Sequence, residues 1–308
     1  MIPLIGFERQ PIVAAQLDQD IQGPWEVCAL TKTDEGEVLR FLAARPLHTV
    51  YMSGLIRDNG LVSPLNRGTF HGYRDRIGQL EGVALIGHVT QVEVRTPRAL
   101  QAFALAAQDC HAVHVVMGER TVVHDFWRHY SRGGQELRVA CRELLLEQRG
   151  PVETDSPDPG LRLAVAADLP LIMRVQAAMA AAECGVNPLA VDPEGFRARC
   201  ETRIERGRVW VLVEGGKLVF KADIMAQTPE STYLEGIYVN RRYRRHQYGR
   251  RCLLALGEIL LSHSNSVSLL VNERNVAAQS FYFGVGYKLR SLYDTIYLYK
   301  ESQLSPDD

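Results

Sequence analysis

Residues Asn240-Arg-Arg-Tyr-Arg-Arg-His-Gln-Tyr-Gly249 run directly into Arg250 and Arg251, so that six arginines crowd a single turn. Such a turn can hold an anion of phosphate size. The guanidinium groups offer charge-assisted hydrogen bonds, and a helix starting here would aim its first main-chain N–H groups at the same charge. The turn is neither G-x-x-x-x-G-K-[ST] nor G-x-G-x-x-G. Three readings compete: a phosphate-bearing cofactor, an RNA patch in which Tyr243 and Tyr248 stack on bases, and a plain solvated basic face. Position at a strand-to-helix junction favours the cofactor, and Arg241 and Arg251 can be simple surface charges.

Two further groups have chemistry to offer. Glu235 lies in the middle of the apolar stretch Tyr233-Leu-Glu-Gly-Ile-Tyr-Val239. On a period of two it shares a face with Tyr233, Ile237 and Val239, where it would serve as a general base or form an inter-strand ion pair with Lys221 or a neighbouring arginine. Asp223 is the rival base. Tyr282 follows a second apolar stretch, Val267–Val271, and is either a proton donor or an amphipathic core aromatic. Asn275 is either a ligand to a bound molecule or the N-cap of its helix.

The elements that must position these groups read as strand 233–239, the arginine turn, helix 250–261, strand 267–271 and helix 275–282. Before them come strand 161–165, helix 169–182 opened by Asp168, a helix from Pro193 to Arg206 ended by Gly207, and strands 208–213 and 217–225. Glu214-Gly-Gly216 joins the last two as a tight hairpin. Strand 291–299 follows the site. The order predicts a mixed sheet with flanking helices.

On these residues the chain resembles the GNAT superfamily of N-acetyltransferases. The turn is similar to the family's acyl-CoA pyrophosphate loop, [QR]-x-x-G-x-[GA], with Arg244 first, Gln247 in place of the first glycine and Gly249 last. Asn275, Ala278, Phe281, Tyr282, Gly286 and Tyr287 are spaced as in its second motif, N-x-x-A-x-x-x-Y-x-x-x-G-[FY]. Gln247 departs from the pattern by placing a side chain where glycine lets the backbone approach phosphate.

The resemblance covers about 160–300 and implies acetyl-CoA as acyl donor, no metal, and direct attack by a primary amine. The acceptor implied is a small-molecule or peptide amine. The cofactor-binding set implied is Ile237, Tyr238, Val239, Arg244, Arg245, His246, Gln247, Tyr248, Gly249, Arg250, Asn275 and Ala278. Tyr282 would protonate the leaving thiolate and Glu235 would take the amine proton, while Glu183 and Asp192 lie where the family recognises acceptors. A non-catalytic acyl-CoA sensor is the alternative.

The chain has 308 residues, enough for two domains. At 46% hydrophobic and 23% charged it reads as a soluble globular protein, and a net charge of −1 gives no overall field to draw in nucleic acid or membrane. The six cysteines form no C-x-x-C pair and no metal spacing with histidine, as in a reduced cytoplasmic protein. No signal peptide or membrane span is expected, and a monomer or homodimer is.

Along the chain the expectation is a loose arm over 1–30, a first domain over 31–148, a linker over 149–160, the acetyltransferase-like domain over 161–300, and an acidic tail over 301–308. In the first domain Asp34 would cap helix 35–44, ended by Pro46. Helix 48–58, strands 68–73, 78–86 and 91–94, helix 97–107, strand 114–117, helix 121–131 and strand 137–146 follow. The segment Val115–Trp127 repeats the pattern of Leu269–Phe281, with Glu119-Arg120 over Glu273-Arg274. Thr121 then replaces Asn275 and Arg128 replaces Tyr282. Only Arg95-Thr-Pro-Arg98 separates strand from helix at the equivalent turn. The fold class read is α/β, two tandem GNAT-like domains, each a mixed, largely antiparallel sheet flanked by helices, the first degenerate.

Overall fold

The computed structural model describes residues 27–150 and 160–299. Residues 1–26 of the arm expected over 1–30, residues 151–159 of the linker expected over 149–160, and the tail expected over 301–308 lie outside the described residues. In chain order the strands are β1 (Val27–Ala29), β2 (Gly68–Arg74), β3 (Leu80–Gly87), β4 (Val89–Val94), β5 (Val115–Glu119), β6 (Leu137–Gln148), β7 (Arg162–Leu163), β8 (Val209–Glu214), β9 (Lys217–Gln227), β10 (Thr232–Val239), β11 (Val267–Asn272) and β12 (Lys288–Leu298). The helices are α1 (Glu35–Leu42), α2 (Pro46–Asn59), α3 (Pro97–Gln108), α4 (Arg120–Tyr130), α5 (Leu169–Cys184), α6 (Pro188–Val191), α7 (Pro193–Glu205), α8 (Tyr248–Leu261) and α9 (Val276–Gly284). They form two compact units interleaved along the chain. The first takes the described residues of 1–41, 59–141 and 294–308, the second those of 42–58 and 142–293.

In the first unit β1 to β4 form an antiparallel ladder and β5 joins β4 in parallel. Phe103 and Ala104 of α3 and Phe126 and Tyr130 of α4 close the core over Tyr73, Ala84 and Ile86. Residues 27–30, expected to belong to the arm, are part of the fold instead: Val27–Ala29 pair with His71–Tyr73 and Leu30 is buried. Asp34 is not the N-cap of α1. Its carboxylate accepts from the N–H and the hydroxyl of Thr31 at 2.8 and 2.7 Å, so the helical entry begins three residues earlier. Pro46 opens α2, the first-turn position proline tolerates.

In the second unit the strand order is β6-β11-β10-β9-β8-β7, antiparallel except between β10 and β11. Gly215 and Gly216 both take positive φ between β8 and β9, as a two-residue type I′ hairpin requires. The strand expected over 161–165 shortens to two residues. Leu253, Leu256 and Leu260 of α8 and Tyr282 of α9 pack on one face with Phe220, Ala222, Leu234 and Val271. Ile172 of α5 and Phe196, Cys200 and Ile204 of α7 pack with Val209, Val211 and Leu218.

Helix α2 belongs to this unit although it lies far upstream. Its Val50 packs with Ala226 and Tyr233, and a Cβ on Gly54 would stand only 2.6 Å from that of Ala226. The glycine is what lets the helix lie against β9. The repeated segments share one local setting: β4–β5 and β10–β11 are parallel pairs, each followed by a helix, α4 or α9.

Candidate functional site

The site is made by an irregularity in β10. From Thr232 to Leu234 the strand pairs in parallel with Val267–Leu269 of β11, and there the ladder stops. β11 continues against β6 as far as Asn272. Among the described residues no strand pairs with β10 on that side from Glu235 onward. Opposite, the register against β9 shifts between Glu235 and Tyr238, and Gly236 at φ +59° is the bulge.

The bulge overturns the period-two reading of this strand. Tyr233 and Glu235 remain on one face, joined by a hydrogen bond from the phenol to Oε1 at 3.0 Å. Ile237 and Val239, however, pack in the core of Leu234, while Tyr238 joins the α5–α7 core. One extra residue has exchanged the faces, so Glu235 does not share a face with Ile237 and Val239.

Around Glu235 the charges are dense. Asp223 is its partner across the ladder and is nearly fully buried, held by Lys221 Nζ at 2.8 Å and Arg203 Nη1 at 3.4 Å. The inter-strand ion pair expected between Lys221 and Glu235 is therefore replaced by an in-strand pair, and Asp223 is too committed to serve as a free base. Burial pushes the Glu235 carboxyl up, opposed chiefly by the positive charge of Arg203. Glu183, in the last turn of α5, keeps solvent contact, yet the protein around it and then the charge of Glu235 push its carboxyl up. Tyr282 on α9 is buried, and its phenol is raised by that burial first and by Glu183 second. Glu235, Glu183 and Tyr282 thus sit within electrostatic reach in sequence. Asp192 is spent as the N-cap of α7, accepting from Gly195 N–H at 2.9 Å and from Arg199 at 3.0 Å.

Beyond Val239 the chain enters the arginine turn. Arg244 Nε donates to the Val239 carbonyl at 3.0 Å, and Arg250 donates to the Gly284 carbonyl, so these two brace the turn against β10 and α9. Arg241, Arg242, Arg245 and His246 are exposed. Arg245 and Gln247 take φ of 65° and 61°, the left-handed region that costs a side chain about 1–3 kcal/mol. Gln247 caps α8 with no side-chain hydrogen bond to its first turn, which leaves those N–H groups facing the loop.

The helix begins at Tyr248, two residues before the expected start. Tyr243 and Tyr248 meet edge to face, ring centres 5.4 Å apart. Gly249 is buried: a Cβ there would lie 2.8 Å from Val239 Cγ2, so it sets the approach of α8 to β10. Asn275 does cap α9, accepting from Ala278 N–H at 3.1 Å, and Ala278 packs on the core.

Sequence reasoning missed Gly236, Gln176 and Arg203. A lone glycine inside a strand pattern is the usual sign of a bulge or a close backbone approach, and it was there to be read. Gln176 and Arg203 come from α5 and α7, and no local pattern points to them. The described residues hold no cluster of three or more metal-ligating side chains and no helix long and apolar enough to cross a membrane.

Residues 179–287 match the family model described as acetyltransferase (GNAT) family. No curated protein matches the chain. Among solved structures, a GNAT-family acetyltransferase from Colwellia psychrerythraea is 13% identical with a TM-score of 0.54, over 89% of this chain and 100% of that one. A tandem GNAT protein from the clavulanic acid biosynthesis pathway is 16% identical at 0.56, over 88% and 98%. A Drosophila protein is 11% identical at 0.60, over 89% and 98%. The fold is therefore that of tandem GNAT proteins, with a GNAT-family domain in the second half.

Proposed function

We propose that this GNAT-family domain transfers an acetyl or other short acyl group from CoA to an amine. The observation that carries the reading is one continuous path, the unpaired side of β10 leading to a helix N-terminus without a side-chain cap among exposed arginines. The pyrophosphate would lie on the first turn of α8 and the N–H groups of 245–250, and the pantetheine arm along Ile237–Val239 as an added strand. Val239 would contribute its N–H, since its carbonyl is taken by Arg244. The N–H groups past the bulge would polarise the thioester carbonyl. CoA supplies the activated acyl group, and the chain supplies position and protons.

Glu235 would take the proton of the incoming ammonium, directly or through water. Its raised carboxyl brings it nearer the working pH, where a base is most effective. Tyr282 would hand its proton to the leaving sulfur, and the burial that raises the phenol keeps that proton in place until it is needed. Asn275 and Ala278 would support the loop end of α9. The first unit would bind no CoA, because Arg95 and Thr96 alone separate β4 from α3, and Thr96 itself accepts from Ala99 N–H.

The test is turnover of labelled acetyl-CoA against a panel of primary amines and cell extract, with CoA counted per chain. Transfer to an amine with one CoA bound supports the reading. Tight binding without turnover makes the chain an acyl-CoA sensor, and no binding removes the assignment.

A further inference from the structure

Lys221 is an unexpected residue for the middle of β9. It is fully buried, and an interior strand position facing helices ordinarily takes an apolar side chain. Its ammonium donates to two acceptors, Gln176 Oε1 of α5 at 2.8 Å and the Gly236 carbonyl of β10 at 3.2 Å, and pairs as an ion with Asp223 Oδ1 of β9 at 2.8 Å. The other oxygen of Asp223 takes Arg203 of α7. A buried ion pair of this kind is a poor means of adding stability, because apolar residues of similar volume usually do as well or better. What it provides here is a fixed point under the bulge.

That point has a geometric consequence. A trans peptide carries its C=O and N–H on opposite sides. With the Gly236 carbonyl held at Lys221, the Ile237 N–H of the same peptide is turned away from the buried cluster. The glycine is required by its positive φ, and a Cβ there would also crowd the pair, 2.8 Å from Lys221 Nζ and 3.1 Å from Asp223 Oδ2. Ile237 opens the stretch assigned above to the pantetheine arm.

We propose that Lys221 and Asp223 are a positioning pair that sets the peptide plane at Gly236–Ile237, and through it the affinity of the open side of β10 for pantetheine. The role rests on the acyl-CoA reading and extends it to residues that touch neither CoA nor amine. It separates two parts of one ligand: the adenosine bisphosphate end bound at the arginine turn, and the pantetheine end bound past the bulge.

The experiment compares full-length wild type with the double variant Lys221→Met/Asp223→Leu, which removes both charges without stranding either of the pair. Dissociation constants are measured by calorimetry for CoA and for adenosine 3′,5′-bisphosphate, which lacks the arm. Wild type should prefer CoA. The variant should bind the bisphosphate as wild type does and lose roughly tenfold of the preference for CoA, the worth of about one hydrogen bond. A preserved preference, or an equal loss for both ligands, overturns the positioning role while leaving the acyl-CoA reading intact. A wild-type chain that binds neither ligand removes that reading and this one with it. If the double variant does not fold, Gln176→Leu takes its place, since it removes one of the two hydrogen-bond acceptors of Lys221 from a half-buried helix position. It should shift the same ratio in the same direction, and an unchanged ratio overturns the proposal.

Discussion

Glu235 and Asp223 face each other across the β9–β10 ladder, and only Asp223 has its charge matched by direct ion pairs. Glu235 has a neutral phenol as its hydrogen-bond partner, which is why burial prevails and lifts its carboxyl. As a base it must be ionised, so kcat/KM should fall as pH drops through a midpoint above the ordinary glutamate value of 4.5. Because Glu183 feels the same charge, the midpoint belongs to the pair. Glu235→Gln should remove the limb and lower kcat roughly 10²–10⁴-fold. Stability should move the other way. A carboxyl raised by folding contributes stability below its unfolded pKa, and that contribution is lost as pH rises through the folded one. At neutral pH the glutamine variant should therefore melt higher. An unchanged acid limb in Glu235→Gln would assign the base elsewhere.

For Tyr282 the expected outcome is a loss in kcat of roughly 10²–10⁴-fold in Tyr282→Phe, with acetyl-CoA affinity little changed. The ring keeps its contacts with Phe281 and Tyr287, so the melting temperature should hold. Wild-type turnover in the folded variant would reassign this phenol to the core.

Gln247 offers a test with a different sign. Gln247→Gly should relieve about 1 kcal/mol or more of left-handed strain. The freedom glycine gains in the unfolded chain returns about 0.4–1 kcal/mol of that, so the denaturation midpoint should barely move. CoA should bind several-fold tighter, because the backbone can then approach phosphate closely. Weaker binding would show that the glutamine side chain itself contacts the ligand.

Gly54→Val should push α2 off β9 and destabilise the protein by about 1–3 kcal/mol, the usual cost of overpacking. Urea denaturation measures it. Since Tyr233 lies under α2 and bonds Glu235, the acid limb of the rate profile should shift in the same variant. A wild-type midpoint would mean that the helix is free to slide.

The arginine turn, both motifs and nearly all the strands and helices of the second half were legible because each is written in consecutive residues. The hairpin glycines and the cap at Asn275 follow from side-chain chemistry within a few positions. The face of Glu235 was not legible from period two alone, since one positive φ at Gly236 exchanges every later side chain. Asp34 misled because its carboxylate serves Thr31, three residues upstream, as readily as it would serve a helix beginning at residue 35. The docking of α2 could not be read at all: nothing near Val50 or Gly54 specifies Ala226 as a partner.

That docking fixes an order of events. During synthesis α2 emerges long before β9 and β10 exist, and at 5–20 residues per second its apolar side waits on the order of ten seconds or more for them. The second unit completes itself only when this early segment folds back, a closure whose entropy grows slowly with loop length. A fragment cut at the linker would lack its lid over Ala226 and Tyr233. The two halves of the gene are therefore not interchangeable cassettes, and a graft of the second half onto another protein has to carry residues 46–58 along.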